Sequence, residues 1–285
     1  MNRILGRILE RLSLWFVSAY VQLVRCKYGL NKNDREQLIV VSMTSYPQRF
    51  ETIVLPLKSL LLQYTKPDKI IVWLGSDSNY EMLTPEMKGF EKFGVEYRFD
   101  ATKNLKPHKK YYYAMQEYAK ELIITVDDDI IYPPTLVSSL IKTHKKFPND
   151  VCARRVHQIT LCETGEPKSY KEWNWECKTI KDPSNRILAT NGAGTLFPPG
   201  VLHPEVFNVD KIIDLCLGAD DIWLWFMEQL NGTKIVWAPC ILVHPPQVRK
   251  TRGKPALSTD NIENNENDLY MKKLLEHYGD MLERR

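Results

Sequence analysis

The sequence predicts an α/β fold with a mostly parallel central sheet. Two observations carry that reading. Short β-branched runs alternate with helical stretches along the first half of the chain, the pattern of strand–helix–strand units. One of these runs, Leu122-Ile123-Ile124-Thr125-Val126, ends in Asp127-Asp128-Asp129. The run is apolar and continuous, so it reads as a strand buried on both faces. Like charges at its end are unfavourable unless a cation or a set of donors compensates them. Carboxylate oxygens without Cys or His suit a hard cation such as Mg²⁺ or Mn²⁺. In open α/β sheets, ligands bind outside the carboxyl ends of strands. An acidic turn capping the next helix is the simpler alternative. One Asp fits that alternative well, and three in a row fit it poorly.

The other elements follow in order. Residues 29–37 are polar and read as a linker. Leu38–Thr44 is a buried strand, broken by Tyr46-Pro47-Gln48-Arg49. A helix follows around 50–64, then a turn at Lys66-Pro67-Asp68 and a strand over Lys69–Leu74. A helix near 84–93 precedes a strand at Val95–Phe99, and Lys109–Leu122 is helical. The second half is less regular. Trp173 and Trp175 precede a segment with Asn191-Gly192-Ala193-Gly194. A helix over 220–230, a strand over 234–238, a polar stretch over 247–268 and a helix near 267–283 complete the chain. No internal repeat is visible. No composition break after residue 37 demands a second domain.

The net charge of +4 has a location. Residues 1–28 hold Arg3, Arg7, Arg11, Arg25 and Lys27 against Glu10, which accounts for all of it. The rest of the chain is neutral, which argues against nucleic acid as a partner. The arm is also amphipathic. Basic and polar residues recur at helical spacing, while Leu12, Trp15, Phe16, Tyr20 and Leu23 fill the other faces. Its longest uncharged stretch, Leu12 to Val24, is 13 residues, against about 20 needed to span a bilayer. The pattern suits a helix lying in a membrane interface, peripheral on the cytoplasmic face. The alternatives are a helix packed on the protein's own surface and a short signal-anchor. On the interfacial reading, a chain beginning near Asn31 stays soluble and active. The six cysteines have no metal-binding spacing, which is consistent with a reducing compartment. Asn231-Gly232-Thr233 matches a glycosylation sequon, although Asn-Gly is first a turn signal.

Taken in order, these residues resemble the GT-A-fold glycosyltransferases, close to bacterial family-2-like enzymes of capsule and lipopolysaccharide synthesis. The resemblance covers residues 38–246. It rests on Thr44-Ser45-Tyr46-Pro47-Gln48-Arg49 after the first strand, the D-x-D at Asp127 and Asp129, Asn191-Gly192-Ala193-Gly194, Ala219-Asp220-Asp221 and a late His244. The domain division it implies is an amphipathic helix over 1–30, a catalytic domain over 38–246, and a basic loop with a closing helix over 247–285.

The resemblance implies a metal-dependent transferase. Its donor would be a nucleotide-diphosphate sugar, a UDP-sugar first, and its acceptor a glycan or lipid-linked hydroxyl. Asp127, Asp129 and His244 would hold Mn²⁺ or Mg²⁺, with Asp127 and Asp128 also at the nucleotide. Thr44, Tyr46 and Arg49 would line the base pocket, and Lys109 would meet phosphate. Asp220 or Asp221 would be the general base of an inverting reaction. The basic loop after His244, with Arg249, Lys250, Arg252 and Lys254, matches retaining relatives instead. A nucleotidyltransferase would also hold a metal on carboxylates, but it wants a basic glycine loop where Ser45-Tyr46-Pro47 stands. A non-catalytic glycan-binding module is a third reading, which the intact Asp127, Asp129 and candidate base disfavour.

Overall fold

The computed structural model describes residues 3–99, 104–240, 242, 245–248 and 264–283. A seven-stranded sheet forms its centre, in the order β3-β2-β1-β4-β8-β5-β9. These strands are β1 (Ile39–Ser45), β2 (Lys69–Leu74), β3 (Val95–Phe99), β4 (Leu122–Thr125), β5 (Val151–Ala153), β8 (Thr195–Phe197) and β9 (Ile235–Trp237). The first four pair in parallel. β8 runs antiparallel to both β4 and β5, and β5 is parallel to β9. A two-stranded antiparallel sheet of β6 (Val156–Gln158) and β7 (Ile187–Ala189) stands apart.

Side-chain alternation along β1 places the helices. Ile39, Val41 and Met43 point to one face, where they pack with Leu57, Leu60 and Leu61 of α2 (Val54–Leu61) and with Leu136, Val137 and Leu140 of α5 (Leu136–His144). Val40 points the other way, to Ala114 of α4 (Lys109–Glu117). A second core gathers α6 (Val209–Cys216), α7 (Asp220–Asn231) and α8 (Glu266–Glu283) around Trp223, Phe226 and Leu274.

Several elements are shorter than their sequence patterns suggest. The expected helix near 84–93 is a four-residue α3 (Pro85–Lys88) and a separate 3₁₀ turn at Glu91–Phe93. Gly94 closes that turn at φ 95°, a conformation open to glycine. The helix expected over Lys109–Leu122 stops at Glu117, where Tyr118 leaves helical geometry. The polar segment 29–37 is fastened to the domain. Leu30 N–H donates to the Phe93 carbonyl (3.2 Å), Asn31 N–H donates to the Pro67 carbonyl (2.9 Å), and Arg35 pairs with Asp68 (2.9 Å).

The amphipathic arm is helical over α1 (Arg3–Leu23). It packs on the domain along one face. Val17 and Val21 are buried with Leu62, Ile131, Leu242 and Val248. The opposite face is open, with Leu12, Trp15, Phe16 and Leu23 exposed. No helix among the described residues is long and apolar enough to cross a membrane. All six cysteines are free thiols.

Candidate active site

The chain leaves β1 toward β2 and β3 on one side of the sheet and returns to β4 on the other. The crevice at the carboxyl ends of β1 and β4 is therefore a topological switch point, the place where open α/β sheets bind ligands. A cavity of about 720 Å³ opens there. Its lining brings together Thr44, Tyr46, Arg49, Lys109, Asp127, Asp128, Asp129, Asp220 and Asp221. Those are all the expected site residues except His244, which lies outside the described residues.

The three aspartates have different surroundings. Asp128 turns inward and is buried. It accepts from the Ser45 hydroxyl at 2.6 Å and from Arg49 Nη1 at 2.6 Å. Burial pushes its carboxyl above the usual range, with Arg49 and Ser45 opposing. Asp129 accepts from the same Arg49 Nη1 at 3.2 Å. Burial, then the charges of Asp127 and Asp128, lift it to about 6 against the pull of Arg49. Asp127 is the most open, with 39% of its side chain exposed. Burial raises it, but the Lys110 ammonium at 2.8 Å, helped by Arg49 and Arg155, outweighs that and holds it below the ordinary value.

The turn that displays them is tightly built. Asp127 N–H donates to the Tyr132 hydroxyl at 2.7 Å, and that hydroxyl donates to the Gly192 carbonyl. Gly192 leaves room for the Asp127 carboxylate: a Cβ there would lie 1.7 Å from Asp127 Oδ2, so any larger residue would push that side chain aside. The Gly-rich segment noted in the sequence thus closes against the acidic turn. It continues into β8, the strand beside β4.

Across the cavity, α7 begins with Asp220 and Asp221. Asp220 is buried and lies 3.0 Å from Lys110 Nζ. Asp221 keeps part of its surface open and accepts from Asn191 N–H at 2.9 Å. Burial, then the charge of Asp220, raises Asp221 to about 7, with Lys110 opposing. Lys110 is 4% exposed and joins the two acidic groups, one from β4 and one from α7. Lys110 is not among the residues expected at the site from the sequence. Its signal was a Lys-Lys pair at a helix start, with nothing local to mark the second as buried.

The remaining expected residues form the near wall. Arg49 packs over the Tyr46 ring (5.3 Å) and donates from Nε to its hydroxyl at 2.9 Å. Thr44 Oγ1 donates to the Trp73 carbonyl at 2.8 Å, so its hydroxyl proton serves the sheet. Lys109 is buried, with Nζ 3.3 Å from Asn104 Oδ1. His108 anchors this segment from behind. Burial drops its pKa to about 4, so the ring is neutral. It lies 2.9 Å from both the Cys216 carbonyl and the Tyr111 hydroxyl. A carbonyl only accepts, so Nε2 carries the proton and Nδ1 accepts from Tyr111.

The residues present suit one hard cation at Asp127 and Asp129. Both are oxygen donors open to the cavity, and Asp129 sits in a surplus of negative charge. Asp128 is committed to Ser45 and Arg49. Among the described residues, no three His, Cys, Asp or Glu side chains converge as a complete metal shell.

No protein-family model matches the chain, and no curated protein matches it in sequence. Solved structures do match. One is a mannosyltransferase from Pyrobaculum calidifontis in complex with GDP-Man and Mn²⁺, at TM-score 0.52 and 10% identity, over 95% of this chain and 73% of that one. Two others score lower. GalNAc-T7 with UDP, GalNAc and Mn²⁺ has TM-score 0.48 and 10% identity, over 84% of this chain and 52% of that one. A 4-diphosphocytidyl-2C-methyl-D-erythritol synthase has TM-score 0.44 and 8% identity, over 73% of this chain and 92% of that one. At such identities the likeness speaks to architecture, and the architecture is the GT-A fold.

Proposed function

We propose that this protein is a glycosyltransferase. It moves a sugar from a nucleotide-diphosphate sugar to a hydroxyl of a glycan or lipid-linked acceptor, in cell-surface polysaccharide synthesis. One observation carries the reading: a single cavity at the β1/β4 switch point holds an acidic cluster on one wall and a carboxylate with a pKa of about 7 on the other. The first suits a diphosphate with its counter-cation, and the second suits a base working near neutral pH.

In the proposed reaction Asp221 accepts the proton of the acceptor hydroxyl. That oxygen bonds to the anomeric carbon as the carbon–oxygen bond to the diphosphate breaks, and the nucleoside diphosphate leaves with the electron pair. Attack from the opposite face inverts the anomeric centre. Asp221 is preferred to Asp220 because Asp220 is buried against Lys110. Lys110 holds Asp127 and Asp220 at a fixed spacing, and Arg49 does the same for Asp128 and Asp129. Tyr46 and Arg49 make a planar, charged surface for the base and phosphates, and Lys109 adds positive charge nearby. Asp127 and Asp129 would hold Mn²⁺ or Mg²⁺, which when bound neutralises charge on the departing diphosphate. The outer face of α1 would keep the protein on an anionic membrane surface, close to a lipid-linked acceptor.

The test is a screen of nucleotide sugars, UDP-sugars first, with Mn²⁺ and Mg²⁺, read as release of nucleoside diphosphate. The expected result is release with one donor, lost in excess chelator and in Asp129→Ala. Full turnover in chelator would remove the metal from the proposal. Absence of release with every donor would remove the transferase itself.

A further inference from the structure

Part of the cavity lining is aromatic, with His157, Tyr170 and Trp175, and nothing in the chemistry above uses it. It is built on an irregularity beside β6. Residues 174–177 run antiparallel to that strand. Gln158 exchanges backbone hydrogen bonds with Asn174, and Cys177 N–H donates to the Val156 carbonyl at 2.9 Å. Three steps along one segment therefore match two along the other, which leaves one residue too many, as in a β-bulge. Glu176 takes up the excess in the left-handed region, at φ 53°. A non-glycine residue there is strained, and such strain collects at functional sites.

The bulge turns Trp175 and Glu176 into the cavity lining. Trp175 is 41% exposed, unlike Trp173 two residues earlier, which is buried. Its ring is nonetheless held firmly. The indole N–H donates to the Tyr170 carbonyl at 2.9 Å. The His157 ring stacks on it at 5.4 Å and 17°, and the Tyr170 ring meets it edge-on at 5.6 Å. Glu176 N–H donates to His157 Nδ1 at 3.0 Å, which fixes the stacked imidazole. α8 clamps the segment from outside, where Asp268 accepts from the Ser169 hydroxyl and from Tyr170 N–H, both at 2.6 Å. A large apolar ring that is rigid, open and inside a polar cavity is arranged for a ligand with a flat apolar face and polar edges.

We infer that Trp175 is the stacking platform of the acceptor subsite, and that the group it receives is a neutral pyranose ring. The C–H face of the sugar lies on the indole, and the Glu176 carboxylate accepts from its hydroxyls. The platform sits on the α7 side of the cavity. Tyr170, whose ring meets Trp175, belongs to the same core cluster as Ile222 and Trp223 of α7. A ring stacked on Trp175 therefore shares one cavity with the proposed base. This inference rests on the transferase reading for the word acceptor, but the sugar site itself does not.

The experiment uses the full chain and two kinds of probe. Methyl glucoside, galactoside, mannoside and N-acetylglucosaminide are tested by saturation-transfer NMR, and UDP and GDP are titrated separately. At least one pyranoside is expected to bind wild type. Trp175→Ala should weaken it at least about tenfold, the effect of re-exposing one apolar face. Trp175→Phe, which keeps a ring but no N–H, should lose much less. Nucleotide affinity should be unchanged in both. Binding of no pyranoside to wild type, or equal binding to wild type and Trp175→Ala, would overturn the platform. So would loss of nucleotide rather than sugar in Trp175→Ala. Failure of all nucleotides to bind while the pyranoside result holds would instead count against the transferase reading alone.

Discussion

Asp221 links the site's geometry to its pH behaviour. With its carboxyl at about 7, a large share is protonated just below neutrality and cannot accept a proton. Turnover should therefore fall as pH drops below about 7, and the limb should be absent from the residual activity of Asp221→Asn. That variant should lose ~10²–10⁴-fold in turnover with donor affinity little changed, the usual span of general-base catalysis. Normal turnover would move the role elsewhere. The stability consequence has a definite sign. A carboxyl raised on folding binds more protons in the native state than in the unfolded chain, so the native state loses stability as pH rises from the ordinary carboxyl value of 3.8 to about 7. Asp129, raised to about 6, adds to the same trend. Denaturant titrations at pH 5 and 7 should show a shallower decline for Asp221→Asn than for wild type.

The residues readable in the sequence were those whose placement is local. Three aspartates at the end of an apolar run announce themselves, because like charges at a strand end call for a cation or a set of donors. Lys110 was not readable. Its partners come from β4 and α7, and a buried lysine is recognised only through such distant partners. Lys110→Met should remove the bridge but keep the bulk. It leaves Asp127 and Asp220 facing each other without their cation, so turnover should fall and the pH limb of Asp221 should move upward. An unmoved limb would show that Lys110 is only packing.

Elements were legible where strands are long and parallel. β1 and β2 are β-branched, buried on both faces and seven and six residues long. β5 to β9 are three residues each, and of these only β9 was expected, as the strand over 234–238; the others are too short for any period to emerge. The bulge at Glu176 has no local sequence signal, since left-handed positions usually announce themselves with glycine or asparagine. The helix α1 was legible as amphipathic, but its pattern hides two apolar faces with different fates. Val17 and Val21 are buried against Ile131 and Val248. Those residues flank a backbone pairing in which Ile131 N–H donates to the Pro246 carbonyl and Val248 N–H donates to the Asp129 carbonyl, both at 2.8 Å. α1 thus braces the stretch that carries Asp129. A chain starting near Asn31 lacks that contact, so its solubility and activity measure how much the brace contributes. Full burial of a valine is worth ~1.5–3 kcal/mol, so Val21→Asp in the full chain should lower the melting temperature and turnover together. Unchanged melting would show that the brace carries no weight.

For the molecule as a whole, charge and exposed apolar surface coincide. The formal +4 is carried entirely by residues 1–28. Within that segment Arg11, Arg25 and Lys27 are exposed beside Leu12, Trp15, Phe16 and Leu23. The neutral remainder gives no comparable attraction. A soluble monomer rarely shows so many large apolar side chains on one short helix without a use for them. The inner face of α1 is already buried, so the outer face is the one that the proposed membrane contact would use. Each basic residue near an anionic surface contributes ~1 kcal/mol, and burial of the aromatic face adds a term that salt does not screen. Binding should therefore weaken with salt, because the Debye length shortens, but not vanish. The full chain should sediment with phosphatidylglycerol-containing vesicles and much less with phosphatidylcholine alone. Trp15→Glu with Phe16→Glu should abolish sedimentation while leaving melting unchanged, because both side chains are exposed. Equal sedimentation of this variant would overturn the membrane assignment. A salt-stable dimer of wild type that the variant breaks, with no vesicle binding, would assign the face to a second copy of the chain.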